Sequence, residues 1–453
     1  MRFLIECTHT FFNPAHNTGI QRVVRNIVEH LPEATEEVEF RPVVLKEGEL
    51  YGVKDLPDVD EEPQYSDVPP WPYRVLERVE QRHAGLSRRY QRINERPSFQ
   101  RSKNARRALF VVVKALDLGL RALKKGLRTI GDRVEDQRLE RLELSENDHL
   151  ILIDASWNYS QAPQAFEAIN ASGAKIYGAV HDIIPLTNPE FFHGKLVDDF
   201  SKWFEAVAQL AAGYICVSRT TMERTRNKVN ALVGSQAGER KVYDYFYSGS
   251  DFSRQTQRGS VRPQLMDIFA SDEPVYLMVG TIEPRKNHRY VLDAFDQLWQ
   301  QGVRARLLII GGQGWKCDDL VDRVLQHQHH GQALVMVNDA TDAELNHCYQ
   351  RANRLILASH DEGFGLPIIE SMNNNLPVIC SDIDIFREVG GQYCDYFDLS
   401  DCGSLAAQVK AQLGDTNEVA ALEGWRWDNW REATRRFCDN LVDLARRSEA
   451  SRG

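Results

Sequence analysis

The sequence contains no apolar run of the ~18 residues that a membrane-spanning helix requires, so it reads as a chain without a spanning segment. Its opening residues, Met1-Arg-Phe-Leu-Ile-Glu-Cys7, meet acidic Glu6 too early to form the apolar centre of a signal peptide, and read instead as a first strand. Cysteine is sparse. The eight residues are scattered, with no Cys-x-x-Cys pair and no Cys/His metal spacing, which argues against a disulfide framework or a structural zinc site. Cys216 and Cys380 fall in strand-like runs, so the thiols read as reduced core residues of a cytoplasmic protein. Positive charge is not in excess either. With 55 Lys and Arg against 65 Asp and Glu, the net charge of −10 argues against a general nucleic-acid binder.

What the chain does have is length and alternation. Its 453 residues suffice for two or three domains, and apolar runs followed by turns and helical patterns recur along most of it. Arg2–Thr8 reads as a strand, Phe11–Gly19 as a loop, and Ile20–Leu31 as a helix with Arg22 and Arg25 in its first turns. Phe40–Leu45 reads as a strand, and Glu47–Pro72 as a Pro- and acid-rich loop or linker. The alternation resumes at His149–Asp154. Ala174–Val180 then runs as a strand into His181-Asp-Ile-Ile-Pro185, Phe191–Ala212 is helical, and Gly213–Ser218 is a strand. Polar residues 253–273 read as a linker to a second α/β domain. Thr341 and Glu344 form a capping-box pattern there. From Asp401 the chain reads as helical to its end, through Trp425, Trp427 and Trp430, a cluster better suited to packing between domains than to a sugar platform.

Charge is unevenly placed. Tyr73–Arg133 holds 17 Lys and Arg against 5 Asp and Glu, so this segment is near +12 and the remainder near −22. Within it, Arg106–Leu127 has an apolar helical face flanked by basic residues. Such a helix can lie on an anionic membrane with its charges at the headgroups. It can equally pack on the first domain with its arginines in water.

Two strand–turn–helix units carry chemistry. The apolar run Leu355–Ala358 leads into Ser359-His-Asp-Glu-Gly-Phe-Gly-Leu-Pro-Ile-Ile-Glu-Ser-Met372. Gly363 and Gly365 make a tight turn, and Leu366–Asn374 reads as a helix with Pro367 in its first turn, where a missing N–H is tolerated. Glu362 then stands at a strand end and Glu370 two turns along the helix. Amides at a helix start suit phosphate, and carboxylates accept hydrogen bonds from sugar hydroxyls. The other unit is the run Val275–Val279 followed by Gly280-Thr-Ile-Glu-Pro-Arg-Lys-Asn287 and a helical stretch, His288–Gln301. Arg285 and Lys286 at that strand end can neutralise a diphosphate as it leaves. Singly, an ordinary capping turn and a solvated Arg-Lys pair explain these stretches as well.

Together, in this order and about 75 residues apart, they resemble glycosyltransferase family four. The match is to that family's two-glutamate motif, Glu362 and Glu370, and to its Gly-…-Arg-Lys-Asn loop, and it covers most of residues 274–400. The resemblance implies an α/β chain of the GT-B fold, with two Rossmann-like domains facing across a cleft. Residues 1–260 would form the acceptor-side domain with a basic helical insertion at 73–145, residues 261–424 the nucleotide-sugar domain, and 425–453 a helix crossing back. It also implies a retaining hexosyltransferase. Glu362 would hold donor-sugar hydroxyls, Arg285 and Lys286 the leaving diphosphate, and Glu370 the ribose, with Gly19, Gly280, Gly363, Phe364, Gly365 and Leu366 lining the donor site. His181 would touch the donor sugar, and Asp182 would orient that ring or bind acceptor. One glycine, Gly19, stands where many members have two.

Asp-x-Asp occurs only at Asp58-Val-Asp60, in the acid-rich loop, and at Asp382-Ile-Asp384, after the glutamate helix. The reaction is therefore expected to need no metal or other cofactor. The His-Asp-Ile-Ile-Pro segment is similar to that of mannosyl- and rhamnosyltransferases of bacterial surface polysaccharides. That likeness implies a nucleotide-sugar donor, GDP-mannose by preference, an oligosaccharide or lipid-linked acceptor, and a cytoplasmic enzyme on the inner face of the membrane through 73–145. Two alternatives stay open: a nucleotide-sugar epimerase of the same fold, and a non-catalytic membrane-associated scaffold.

Overall fold

The computed structural model describes residues 1–14, 19–34, 38–57, 139–159, 161–250, 260–413 and 422–450, with Gly119 alone between 57 and 139. Apart from Gly119, the basic segment at 73–133 lies outside the described residues.

The first sheet has eight strands: β1 (Arg2–Glu6), β2 (Glu39–Lys46), β3 (Glu49–Gly52), β4 (Glu140–Arg141), β5 (Asp148–Leu152), β6 (Lys175–Val180), β7 (Gly213–Cys216) and β8 (Val242–Tyr245). Their order is β4-β3-β2-β1-β5-β6-β7-β8. All neighbours run parallel except the β2–β3 and β3–β4 pairs. The second sheet is parallel throughout, in the order β11-β10-β9-β12-β13-β14. Its strands are β9 (Val275–Val279), β10 (Arg306–Ile310), β11 (Leu334–Val337), β12 (Arg354–Leu357), β13 (Val378–Ser381) and β14 (Cys394–Phe397). Central strands such as β5 and β9 are buried along their whole length, as expected where both faces of a sheet are covered.

Both sheets reverse direction at a central strand. In the first, the chain leaves β1 towards β2 and returns on its other side as β5; in the second, it leaves β9 towards β10 and returns as β12. Such reversals open a crevice at the C-terminal strand ends, where open α/β sheets bind ligands. The helices that matter here are α1 (Thr8–Phe12), α2 (Gly19–His30), α3 (Gly194–Leu210), α4 (Arg219–Val233), α5 (Pro263–Asp267), α6 (His288–Gln300), α7 (Asp342–Arg351), α8 (Leu366–Asn373), α9 (Asp384–Gly390) and α10 (Trp430–Ala450). One buried cluster runs from Phe3, Ile5 and Val24 through Phe246, Trp430 and Phe437 to Leu277 and Ile368, so both halves share an apolar core.

Local pattern misjudges five stretches. The Phe11–Gly19 loop is entered through α1, a single helical turn buried against the sheet. Part of the Glu47–Pro72 loop is β3, a short antiparallel edge strand that turns back from β2 over Glu47 and Gly48, both at positive φ. Helix α3 starts at Gly194, because Pro189–Phe191 forms a separate 3₁₀ turn. The linker contains α5, and Arg262 just before it pairs with Asp339 and Glu344. Finally, the C-terminal region is not one helix. Trp425 and Trp427 lie in non-helical chain, and α10 begins at Trp430. The capping box at Thr341 forms as expected, with Glu344 also held by Arg262.

Candidate active site

The turns after β9 and β12, adjacent strands at the reversal, bring Arg285, Lys286 and Glu362 together. Arg285 Nη1 and Lys286 Nζ each stand 2.5 Å from a different oxygen of Glu362. The Ser359 hydroxyl donates to Glu362 Oε1 at 2.8 Å, and Arg285 also holds Glu283 at 2.7 Å and the Asp361 carbonyl at 3.0 Å. Burial opposes charge on Glu362, but the two cations outweigh it and hold its carboxyl down at about 2. Glu362 is thus a carboxylate at any physiological pH. Gly280 stands at φ +142°, so a side chain there would strain the turn, although its Cβ would make only an ordinary 3.5 Å contact with Lys286 Cε.

After β6, Asp182 lies near Arg285 and Glu362 of this cluster, and the His181 backbone meets Gly363. His181 is half-buried and its Nε2 donates to the Ile153 carbonyl at 2.7 Å, the carbonyl itself lying at the end of β5. That bond leaves Nδ1 as an acceptor, and burial lowers the ring's pKa, keeping it neutral. Asp182 does not orient the ring. It accepts from the Ile184 amide at 3.0 Å and faces Arg285.

Gly363 is the point of closest approach between the halves. A Cβ on it would sit 1.8 Å from the His181 carbonyl oxygen. Its own carbonyl accepts from Ser218 Oγ at 2.8 Å and Thr221 Oγ1 at 3.0 Å, at the start of α4. The Phe364 ring is buried against Tyr247 and Trp427, so only its backbone is left for a donor. Gly365 is the left-handed residue preceding α8. Gly19, first residue of α2, lies across the cleft from Leu366, first residue of α8. Two helix N-termini therefore converge there.

Glu370 is buried and already partnered. Arg22 of α2 reaches one carboxylate oxygen at 2.6 Å, and the Tyr349 hydroxyl donates to the other at 2.9 Å. Glu388 of α9 crosses to the first half as well. Its carboxylate accepts from the Arg219 and Thr220 amides, at 2.7 and 2.8 Å, capping α4. Arg22 was legible as a helix-face cation. Tyr349, Ser359 and Glu388 carry no local signal, since their partners are distant in sequence. Among the described residues no group of three His, Cys, Asp or Glu side chains gathers as a cation site.

The first sheet's reversal also hides an acid. Glu6 of β1 is fully buried, with Oε1 on the Thr8 amide at 2.8 Å and Oε2 without a hydrogen-bond partner among the described residues. Burial, then the nearby Asp154 charge, push its pKa up to about 8. The folded state therefore keeps a proton that the unfolded chain, near 4.5, releases. Stability from this group is full below 4.5 and is lost as pH rises through about 8. Glu6→Gln, which fixes the neutral form, should leave the unfolding midpoint at pH 5 nearly unchanged and raise it at pH 9. An equal midpoint shift at both pH values would show that Glu6 is not proton-linked to folding.

Two Rossmann-like sheets, each with its reversal facing the cleft, define the GT-B class of glycosyltransferases. Residues 266–407 match the family model of glycosyl transferases group 1, so the second half carries a domain of that family. Among curated proteins it is 30% identical over 316 residues to the serotype-specific mannosyltransferase WbdA of Escherichia coli, covering 68% of this chain and 38% of that protein. It is also 28% identical over 258 residues to O-antigen chain mannosyltransferase B of Escherichia coli, covering 55% of this chain and 66% of that one. The chain thus spans under two fifths of the length of WbdA. Among solved structures, sucrose-phosphate synthase from Thermosynechococcus elongatus superposes with a TM-score of 0.55 at 14% identity, over 98% of this chain and 99% of that one. Alr3699/HepE of Anabaena, solved with UDP and glucose, gives 0.51 at 12% identity, over 99% and 98%. These two likenesses concern the fold.

Among the described residues no helix is long and apolar enough to cross a membrane.

Proposed function

We propose that the protein is a retaining, metal-independent glycosyltransferase that moves mannose from GDP-mannose onto a growing bacterial polysaccharide, lipid-linked at its far end. One observation carries the reading: Arg285 and Lys286 converge on Glu362 at the sheet reversal, opposite His181. The bond that breaks joins the anomeric carbon to a diphosphate. Positive charge spreads over the sugar ring, and negative charge gathers on the departing phosphate. The two cations, aided by the converging starts of α2 and α8, are placed to take that negative charge. Glu362, relieved of them, accepts hydrogen bonds from sugar hydroxyls. His181, its pKa lowered by desolvation, is suited to hydrogen bonding rather than to charge. Glu370 exchanges its bond to Arg22 for the ribose hydroxyls. Mannose as the sugar and a polysaccharide as the acceptor follow the two mannosyltransferase relatives. A cytoplasmic site of action, at the membrane's inner face through 73–145, agrees with such an acceptor. The paired cations on Glu362 favour transfer over epimerisation or a purely structural role.

The test is thermal-shift and calorimetric binding of GDP, UDP and dTDP and their sugars, with and without chelator. Stabilisation by GDP and GDP-mannose, unchanged by chelator, is expected; stabilisation by none of the three nucleotides would end the reading. Glu370→Ala should weaken GDP binding by about tenfold or more, because a buried carboxylate-to-hydroxyl interaction is lost. An unchanged GDP affinity would remove Glu370 from the ribose site.

A further inference from the structure

Helix α8 begins at the donor turn and ends, about 12 Å further on by helical rise, at a cavity lined by none of the candidate site residues. This cavity has a volume of about 490 Å³, and Asn373, Asn375, Trp425, Arg426, Trp427 and Glu432 line it. The Trp425 and Trp427 rings are nearly parallel, 13° apart, with centroids separated by 6.3 Å. They differ in role. Trp427 is packing: its ring lies against Tyr247 and Phe364, and its indole N–H donates to the Ser248 carbonyl at 2.8 Å. Trp425 is half-buried, and its indole N–H has no partner among the described residues. The same holds for the exposed Arg426 guanidinium and for the side chain of Asn375, a residue held at φ +56°.

An indole face with the unengaged Asn375 amide and Arg426 guanidinium beside it, and a Glu432 carboxylate that spends one oxygen on the Asn429 amide, fits one chemistry well. A pyranose has an apolar C–H face, which the negative face of an aromatic ring attracts, and a rim of hydroxyls that both donate and accept. An anion is disfavoured by Asp428 and Glu432, which line the same cavity. The volume lies within the range of small-ligand sites. We propose that this cavity is a second carbohydrate site, holding a sugar of the polysaccharide on the Trp425 face with its hydroxyls on Asn375, Arg426 and Glu432. The proposal rests on the reading of the protein as a polysaccharide glycosyltransferase. Binding at the far end of α8 keeps a long chain attached between transfers, while a short acceptor reaches only the cleft.

Calorimetric titration of α-linked mannopentaose into the full chain tests it. Trp425→Ala should weaken binding by about tenfold or more, and Arg426→Ala by several-fold. Both variants should keep the GDP affinity of the unaltered protein and its rate on a disaccharide acceptor, and both should make shorter products on a long one. Mannopentaose affinity equal in the unaltered protein and Trp425→Ala overturns the site, as does failure of the unaltered protein to bind the pentasaccharide. Binding at this cavity by GDP instead, lost in Trp425→Ala, also overturns it. Failure of the transferase reading appears separately, as absence of nucleotide binding to the unaltered protein. If Trp425→Ala does not fold, Arg426→Ala, on an exposed side chain, carries the same test.

Discussion

Gly363→Ala is expected to lower kcat/KM by about a hundredfold or more, although it adds only one methyl group. That methyl carbon would lie 1.8 Å from the His181 carbonyl oxygen, 2.9 Å from its carbon and 3.0 Å from Asp182 Cβ. The first two contacts are backbone, so no rotamer change relieves them. Either the halves move apart or the turn carrying Glu362 deforms. Both outcomes break the bonds from Ser218 and Thr221 to the Gly363 carbonyl and spoil the spacing between His181 and Glu362. Overpacking costs about 1–3 kcal/mol, which a two-domain chain can reduce by opening at its hinge. The activity loss should therefore exceed what the drop in unfolding temperature suggests. Circular dichroism should stay native while turnover falls. A variant that keeps near-native turnover would show that this contact does not set the working geometry.

Lys286→Ala is expected to reduce kcat by about 10²–10³-fold with a smaller change in KM, the range found when one preorganised electrostatic partner of a transition state is removed. Lys286 and Arg285 share Glu362 while the donor is absent, one on each oxygen. As the diphosphate departs, charge builds on it, and a cation already fixed in a poorly hydrated turn needs no reorganisation to meet it. Arg285 has further bonds to Glu283 and the Asp361 carbonyl, which anchor it. Among the described residues Lys286 has only Glu362 as a hydrogen-bond partner, so it is the freer of the two to follow the phosphate. Lys286→Arg should recover part of the rate. A Lys286→Ala enzyme within a few-fold of the native kcat would assign the leaving group elsewhere.

Much of this arrangement was legible in the sequence, because βα units are local. An apolar run, a glycine turn and a helix start follow one another within fifteen or so residues, and their order alone places Arg285, Lys286 and Glu362 at strand ends. The helix after Gly365 and the capping box at Thr341 are equally local. Errors arose where an edge decides the outcome. Strand β3 exists because β2 offers a free edge, and the break before α10 exists because Trp427 is drawn into the hinge by Tyr247, Phe364 and the Ser248 carbonyl.

The sequence by itself determined which residues stand at the ends of which strands, since each such placement depends on hydrophobic period and turn chemistry within one unit. Only the tertiary structure decided what those residues face. That Arg22 holds Glu370, that Glu388 caps α4, that Gly363 must be bare and that Asp182 serves a turn rather than a histidine all depend on how two sheets meet. Each of these contacts joins groups far apart in the chain, and no local pattern encodes a distance between two folded surfaces.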